Sequence, residues 1–171
     1  MYFFSFCIKL NPTVKINYVT TLLLYKKESE KIMRETVLLF HFDDQNQKRE
    51  LQIFLLSMKL KVQTIKRSEY LKPLGVLAGI QKDSDFPPYD GEDLPTEAII
   101  FCGLSNSRLN ELLNGMRKKK MKPIPYKAIL TPTNQNWTIL ECYKELQRER
   151  AAIEAAQQAK SPISPAEKNE T

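Results

Sequence analysis

Two short, almost wholly apolar runs constrain this chain more than any other feature, because each leads straight into a helical pattern. Thr36-Val37-Leu38-Leu39-Phe40-His41-Phe42 and Ala98-Ile99-Ile100-Phe101-Cys102 show no alternation of polar and apolar residues. That is what a strand buried on both faces requires. After the first run, Asp43-Asp44 opens a helix. Asp44 and Gln47 have the spacing of a capping box, and Leu51, Phe54, Leu55 and Met58 fall on one stripe. After the second run, Gly103 turns the chain and Ser105 or Ser107 caps the next helix. Leu109, Leu112, Leu113 and Met116 then repeat the stripe.

The remaining segments fill in around these two units. Leu60 to Lys66 reads as a more polar strand and so as a sheet edge. A short helix is expected within Tyr70 to Ile80, interrupted by Pro73 and loosened by Gly75 and Gly79. Asp83 to Glu97 is a loop with three prolines and six carboxylates. Tyr126 to Thr131 is a fourth strand, and Thr133 or Asn134 caps a long helix through Trp137, Leu140, Tyr143 and Leu146 into the alanine-rich stretch 151–159. This alternation predicts an α/β fold, a small three-layer sheet of four mostly parallel strands with helices on both faces. The order 2-1-3-4 puts the two apolar strands side by side, parallel and central. A ferredoxin-like α+β arrangement with an extra C-terminal helix is the alternative if Tyr70 to Ile80 is only a loop.

These elements make one domain of residues 33–159, with a polar tail at 160–171 that is expected to be disordered. Residues 1–32 hold no uncharged run longer than the ten residues Ile16 to Tyr25, about half of the ~20 that a membrane span needs. They also lack the basic start and cleavage site of a signal peptide. Met33 abuts the first strand, and Lys27-Glu28 can be encoded by a ribosome-binding sequence. Residues 1–32 therefore read as a non-native or disordered extension, with translation starting at Met33.

Charge and cysteine content exclude several function classes. The 26 basic against 20 acidic residues give a net charge of +6, but residues 1–32 supply half of that excess. The domain itself is only mildly basic, which speaks against nucleic acid as a partner. The cluster Arg117 to Lys122 lacks interleaved aromatics, and a solvated face or a dock for the acidic loop 83–97 suits it better. Cys7, Cys102 and Cys142 form no CxxC pair, and His41 is the only histidine. Neither a disulfide framework nor a metal site is expected, and a reducing cytoplasm is the natural compartment. No residue set names a cofactor or an oligomeric state.

Ligands of open parallel sheets bind beyond the carboxyl ends of the strands. An all-parallel sheet would bring three strand tips to one edge. The residues singled out there are Asp43, Cys102, Gly103, Ser105, Thr131, Thr133, Asn134 and Trp137. Cys102 is the candidate nucleophile, since a thiol facing a helix start can ionise early. Against it, no phosphate loop surrounds it and free cysteine commonly ends buried strands. Asp43 and Asp44 lie where phospho-acceptor domains carry paired acids. Cys102 and Thr131-Pro132 stand where such a domain needs its acceptor aspartate and its lysine, so helix capping explains the pair better. His41, inside an apolar run, reads as a satisfied core histidine. Thr131-Pro132-Thr133-Asn134 with Trp137 holds more polar groups than one cap requires.

Pro73-Leu74-Gly75 with Leu77-Ala78-Gly79, Phe101-Cys102-Gly103, and Leu130-Thr131-Pro132-Thr133-Asn134 with Trp137 resemble a small bacterial family known only as a domain of unknown function. Some of its members carry a label linking them to amino-acid metabolism. The resemblance spans about Glu35 to Gln147. It implies a cytoplasmic α/β domain that starts near Met33, and it assigns no activity. The expected function is that of a module binding a small molecule or a protein partner near Cys102 and Thr131–Asn134, with no role at a membrane. The alternative is an enzyme using Cys102.

Overall fold

The computed structural model describes residues 34–158; the expectations for 1–32 and 160–171 lie outside the described residues. Four strands, β1 (Thr36–Phe40), β2 (Lys61–Thr64), β3 (Ala98–Cys102) and β4 (Tyr126–Ile129), form one sheet in the order β2-β1-β3-β4. The helices are α1 (Gln45–Ser57), α2 (Leu74–Leu77), α3 (Asn106–Lys118) and α4 (Ile139–Gln158), with a 3₁₀ turn at Arg67–Glu69. The α/β class and the strand order expected from the sequence are those observed. The two apolar runs are central, and every residue of β1 and β3 is buried. In the ferredoxin-like alternative another strand separates the first two, whereas β1 and β2 pair directly here.

The central pairing departs from the expectation. β1 runs parallel to β2, and β3 runs parallel to β4. β1 and β3 are antiparallel, with Thr36 opposite Cys102 and Phe40 opposite Ala98. A strand buried on both faces has the same composition in either direction, so its sequence does not reveal which way it faces its neighbour. The reversal decides where the helices go. With every strand parallel, right-handed crossovers to the left and right of the centre would put α1 and α3 on opposite faces. With one unit turned round, they share a face.

That face is built from Val37, Leu39, Ile99 and Phe101 of the sheet, Leu51, Phe54 and Leu55 of α1, and Leu112 and Met116 of α3. A Cβ on Gly115 would come within 2.6 Å of the Phe54 ring, so a bare backbone lets the two helices approach. The other face packs Leu38, Phe40, Ile100 and Cys102 against Tyr70, Leu74 and Leu77, and against Ile139, Cys142 and Tyr143 of α4. Asp44 caps α1, accepting from the Asn46 and Gln47 N–H groups at 3.0 and 3.1 Å. Ser105 caps α3 through Arg108 N–H at 3.2 Å. β2 and β4 are the edges.

Candidate functional site

The antiparallel centre splits the candidate residues between two ends of the sheet. Gly103, Ser105 and Thr131 follow β3 and β4 at one end, and Asp43 follows β1 at the other. The expected convergence of three strand tips is corrected to a convergence of two.

Cys102 finishes β3 with its side chain in the core beneath α4, fully buried. Burial pushes its thiol up to about 12, so at neutral pH it is an un-ionised group out of reach of a substrate. Gly103 follows at a φ of +74°, where a glycine avoids Cβ strain.

The segment after β4 differs from the cap expected of it. The last helix starts at Ile139, with Thr138 and Glu141 as its capping pair. Thr138 N–H donates to Glu141 Oε2 at 2.8 Å, and Glu141 N–H donates to Thr138 Oγ1 at 3.3 Å. Thr131 to Trp137 is a run of turns instead, and Asn134 holds it to the strand. Its side-chain oxygen accepts from Thr131 N–H at 2.8 Å, and its amide nitrogen donates to the Ile129 carbonyl at 3.0 Å. Asn134 N–H donates to Thr131 Oγ1 at 3.3 Å. Carbonyls of the same turns accept from α2, Gln135 from Gly75 N–H and Trp137 from Leu74 N–H, both at 2.8 Å. Asn136 accepts from Gln81 Nε2 at 2.7 Å.

Beside these turns lies a groove of about 460 Å³ that straddles the free edge of β4. One wall is Leu109 and Leu113 of α3, and the other is Glu145, Leu146 and Glu149 of α4; Trp137, Thr131, Thr133 and Asn134 close one end. Leu109 and Leu113 belong to the stripe of α3, yet they are only half-buried because they overhang the edge strand. Lys127 reaches the groove from β4 with Nζ donating to the Ile124 carbonyl, and desolvation by burial lowers its pKa. The groove thus gathers Thr131, Thr133, Asn134 and Trp137, and leaves out Asp43, Gly103 and Ser105. Its floor at Cys142 and its α4 wall were not singled out in the sequence. Glu145 and Glu149, one helical turn apart, were the available signal.

The opposite end of the sheet carries a second cluster. His41 takes a φ of +51°, and its Nε2 lies 3.1 Å from Asp43 Oδ2. Its Nδ1 lies 3.2 Å from Asp93 Oδ2, within ion-pair range but off the line of a good hydrogen bond. Tyr70 Oη donates to Asp93 Oδ1 at 2.6 Å, and Leu94 N–H donates to the same oxygen at 2.8 Å. Burial pushes the Asp93 carboxyl up, but the hydrogen bonds from Tyr70 and Leu94, with the imidazole of His41 close by, together hold it below its ordinary value. Burial and the Asp93 contact push the Tyr70 phenol up. His41 is thus paired with acids rather than held as a core histidine. Elsewhere, Lys122 meets Glu97 of the acidic loop at 3.5 Å. Among the described residues no group of three His, Cys, Asp or Glu side chains is placed to hold a metal, and no helix is long and apolar enough to cross a membrane.

A family model described as "Domain of unknown function (DUF3783)" matches residues 97–153, a third of the chain. The match covers β3, α3, β4 and most of α4. No curated protein and no solved structure matches the chain. Every residue lining the groove, from Phe101 to Glu149, falls inside the matched segment, and His41, Asp43, Tyr70 and Asp93 all fall outside it. Over residues 97–153 the chain is similar to that domain family of unknown function.

Proposed function

We propose that this domain is a cytoplasmic binding module, of bacterial origin as the resemblance suggests, whose ligand seat is the groove along β4. The observation that carries the reading is a concave site lined from both helix layers, with Thr131, Thr133, Asn134 and Trp137 at one end. Its volume lies within the range of roughly 300–1,000 Å³ common for ligand sites, and apolar walls with a few polar groups are their usual make-up. Two buried free thiols, Cys102 and Cys142, fit a reducing compartment. Chemistry at Cys102 finds no support in a thiol so deeply buried.

Trp137 is the only tryptophan, so its emission reports on the groove without interference. The test is a screen of small metabolites, amino acids first because of the label carried by the resembling family, reading Trp137 emission and melting temperature together. A true ligand moves both, and Ile129→Lys, which puts a charge at a strand position 42 % exposed, removes the response while the chain stays folded. An equal response in both proteins places the ligand elsewhere and overturns the reading. Asn134 is a poor choice of variant, because its three hydrogen bonds hold the end of β4.

A further inference from the structure

The groove has a backbone as well as walls. Leu130 N–H donates to the Phe101 carbonyl at 2.8 Å, so residues of that parity in β4 turn their peptide groups toward β3. Lys127 and Ile129 therefore turn theirs outward. Asn134 already serves this edge as a further strand would, taking the Ile129 carbonyl and the Thr131 N–H. Just before it, the N–H and C=O of Lys127 and the N–H of Ile129 have no partner among the described residues. A second depression of about 340 Å³ shares Lys127, Leu146 and Glu149 with the groove and extends it past Tyr126 to Ile153. From Tyr126 to Ile129 the open edge is about 10 Å long at strand rise.

The walls differ in character. The α3 wall is apolar through Leu109 and Leu113, and exposed Ile129 borders it. The α4 wall carries Glu145 and Glu149. Glu145 meets Arg148 at 3.2 Å on the surface, and Glu149 has no cation within 4 Å among the described residues. Lys127 is turned to the Ile124 carbonyl, and Arg150, in the second depression, pairs with Glu154 at 2.8 Å. A second copy of the chain is a poor occupant, since a two-fold interface must be self-complementary and two concave edges leave each other unfilled.

We propose that the groove takes an extended peptide segment of a partner protein as a fifth strand beside β4, its apolar side chains against α3 alternating with lysine or arginine against α4. This rests on the reading that the groove is the binding seat. Alternate side chains of an added strand point to opposite faces, so one segment addresses both walls, and the open peptide groups supply main-chain bonds.

The experiment uses the full chain and labelled peptides alternating valine with lysine, read by polarisation and by Trp137 emission. Two further peptides carry N-methyl groups, each on one alternation of the backbone. A fifth strand loses about tenfold or more in affinity on the alternation that faces β4 and little on the other. A valine–glutamate peptide binds at least about tenfold more weakly, and the double variant Glu145→Lys, Glu149→Lys reverses that preference. Equal binding of the two methylated peptides, or an unchanged preference in the double variant, overturns the proposal. So does a doubled mass of the chain alone that Ile129→Lys abolishes, which would make a second copy the occupant. If peptides fail while a metabolite still moves Trp137 in an Ile129-dependent way, the strand proposal falls and the groove stands; if nothing moves Trp137, both fall.

Discussion

Asp93 shows how much one carboxylate can hold. It accepts from Tyr70 Oη and Leu94 N–H and faces His41 Nδ1, so it ties the acidic loop to the tip of β1 and to a buried phenol. Its pKa is lowered in the folded protein, so its stabilisation is present above the unfolded value and lost as the pH falls through the folded one. Asp93→Asn is expected to lower stability by about 1 kcal/mol at about pH 6, a modest figure because the side chain is 39 % exposed. The gap between wild type and variant should narrow as the pH falls below the ordinary carboxylate range, in urea titrations at stepped pH; a gap that stays constant would remove the carboxylate's charge from the account. None of this was legible locally. His41 and Asp93 lie in different segments, and no residue spacing encodes the positive φ of His41. Asn134 was legible, because a Thr-Pro-Thr-Asn exit with surplus polar groups signals backbone bonding, although the bonds go to β4 rather than to a helix.

The elements were read well where their pattern is local. The apolar runs, the two stripes and the caps at Asp44 and Ser105 follow from residue spacing, and they stand where expected. The start of α4 was misplaced because Thr131 to Asn134 and Thr138 both offer capping side chains, and only the tertiary contacts of the turns decide between them. Those contacts run to α2, a four-residue helix whose first N–H groups donate to Gln135 and Trp137 carbonyls. Gly75 makes that dock possible. A Cβ there would lie 3.0 Å from the Gln135 carbonyl oxygen and 2.9 Å from the Gln81 side chain, and the first of these is backbone that cannot simply rotate away. Gly75→Ala should therefore cost about 1–3 kcal/mol, and it should change Trp137 emission because the turns must shift. Unchanged melting and emission would mean that the dock is loose. The pairing of Pro73-Leu74-Gly75 with Trp137 in the sequence thus has a physical cause: the two segments form one joint.

At the scale of the whole molecule, the class, the strand order and the central position of β1 and β3 could be read from the sequence, and the direction of their pairing could not. Hydrophobicity says that a strand is covered on both sides, and crossover length says that β1–β2 and β3–β4 are parallel. Nothing in either property orients one unit against the other. The joint between the units has a consequence of its own. Paired antiparallel about Leu38 and Ile100, the halves are related by an approximate half-turn, so each offers the other the edge that it would offer to a copy of itself. The segment from Glu97 to Gln158 ends in exposed hydrophobic β3 once the first half is removed. Expressed alone, it should associate with its twin through β3 and rebuild a four-stranded sheet with a groove at each end, which sedimentation would register as a dimer; a monomer would mean that the halves are not interchangeable. In that light the molecule is a covalent pair of half-sheets joined through their most apolar strands.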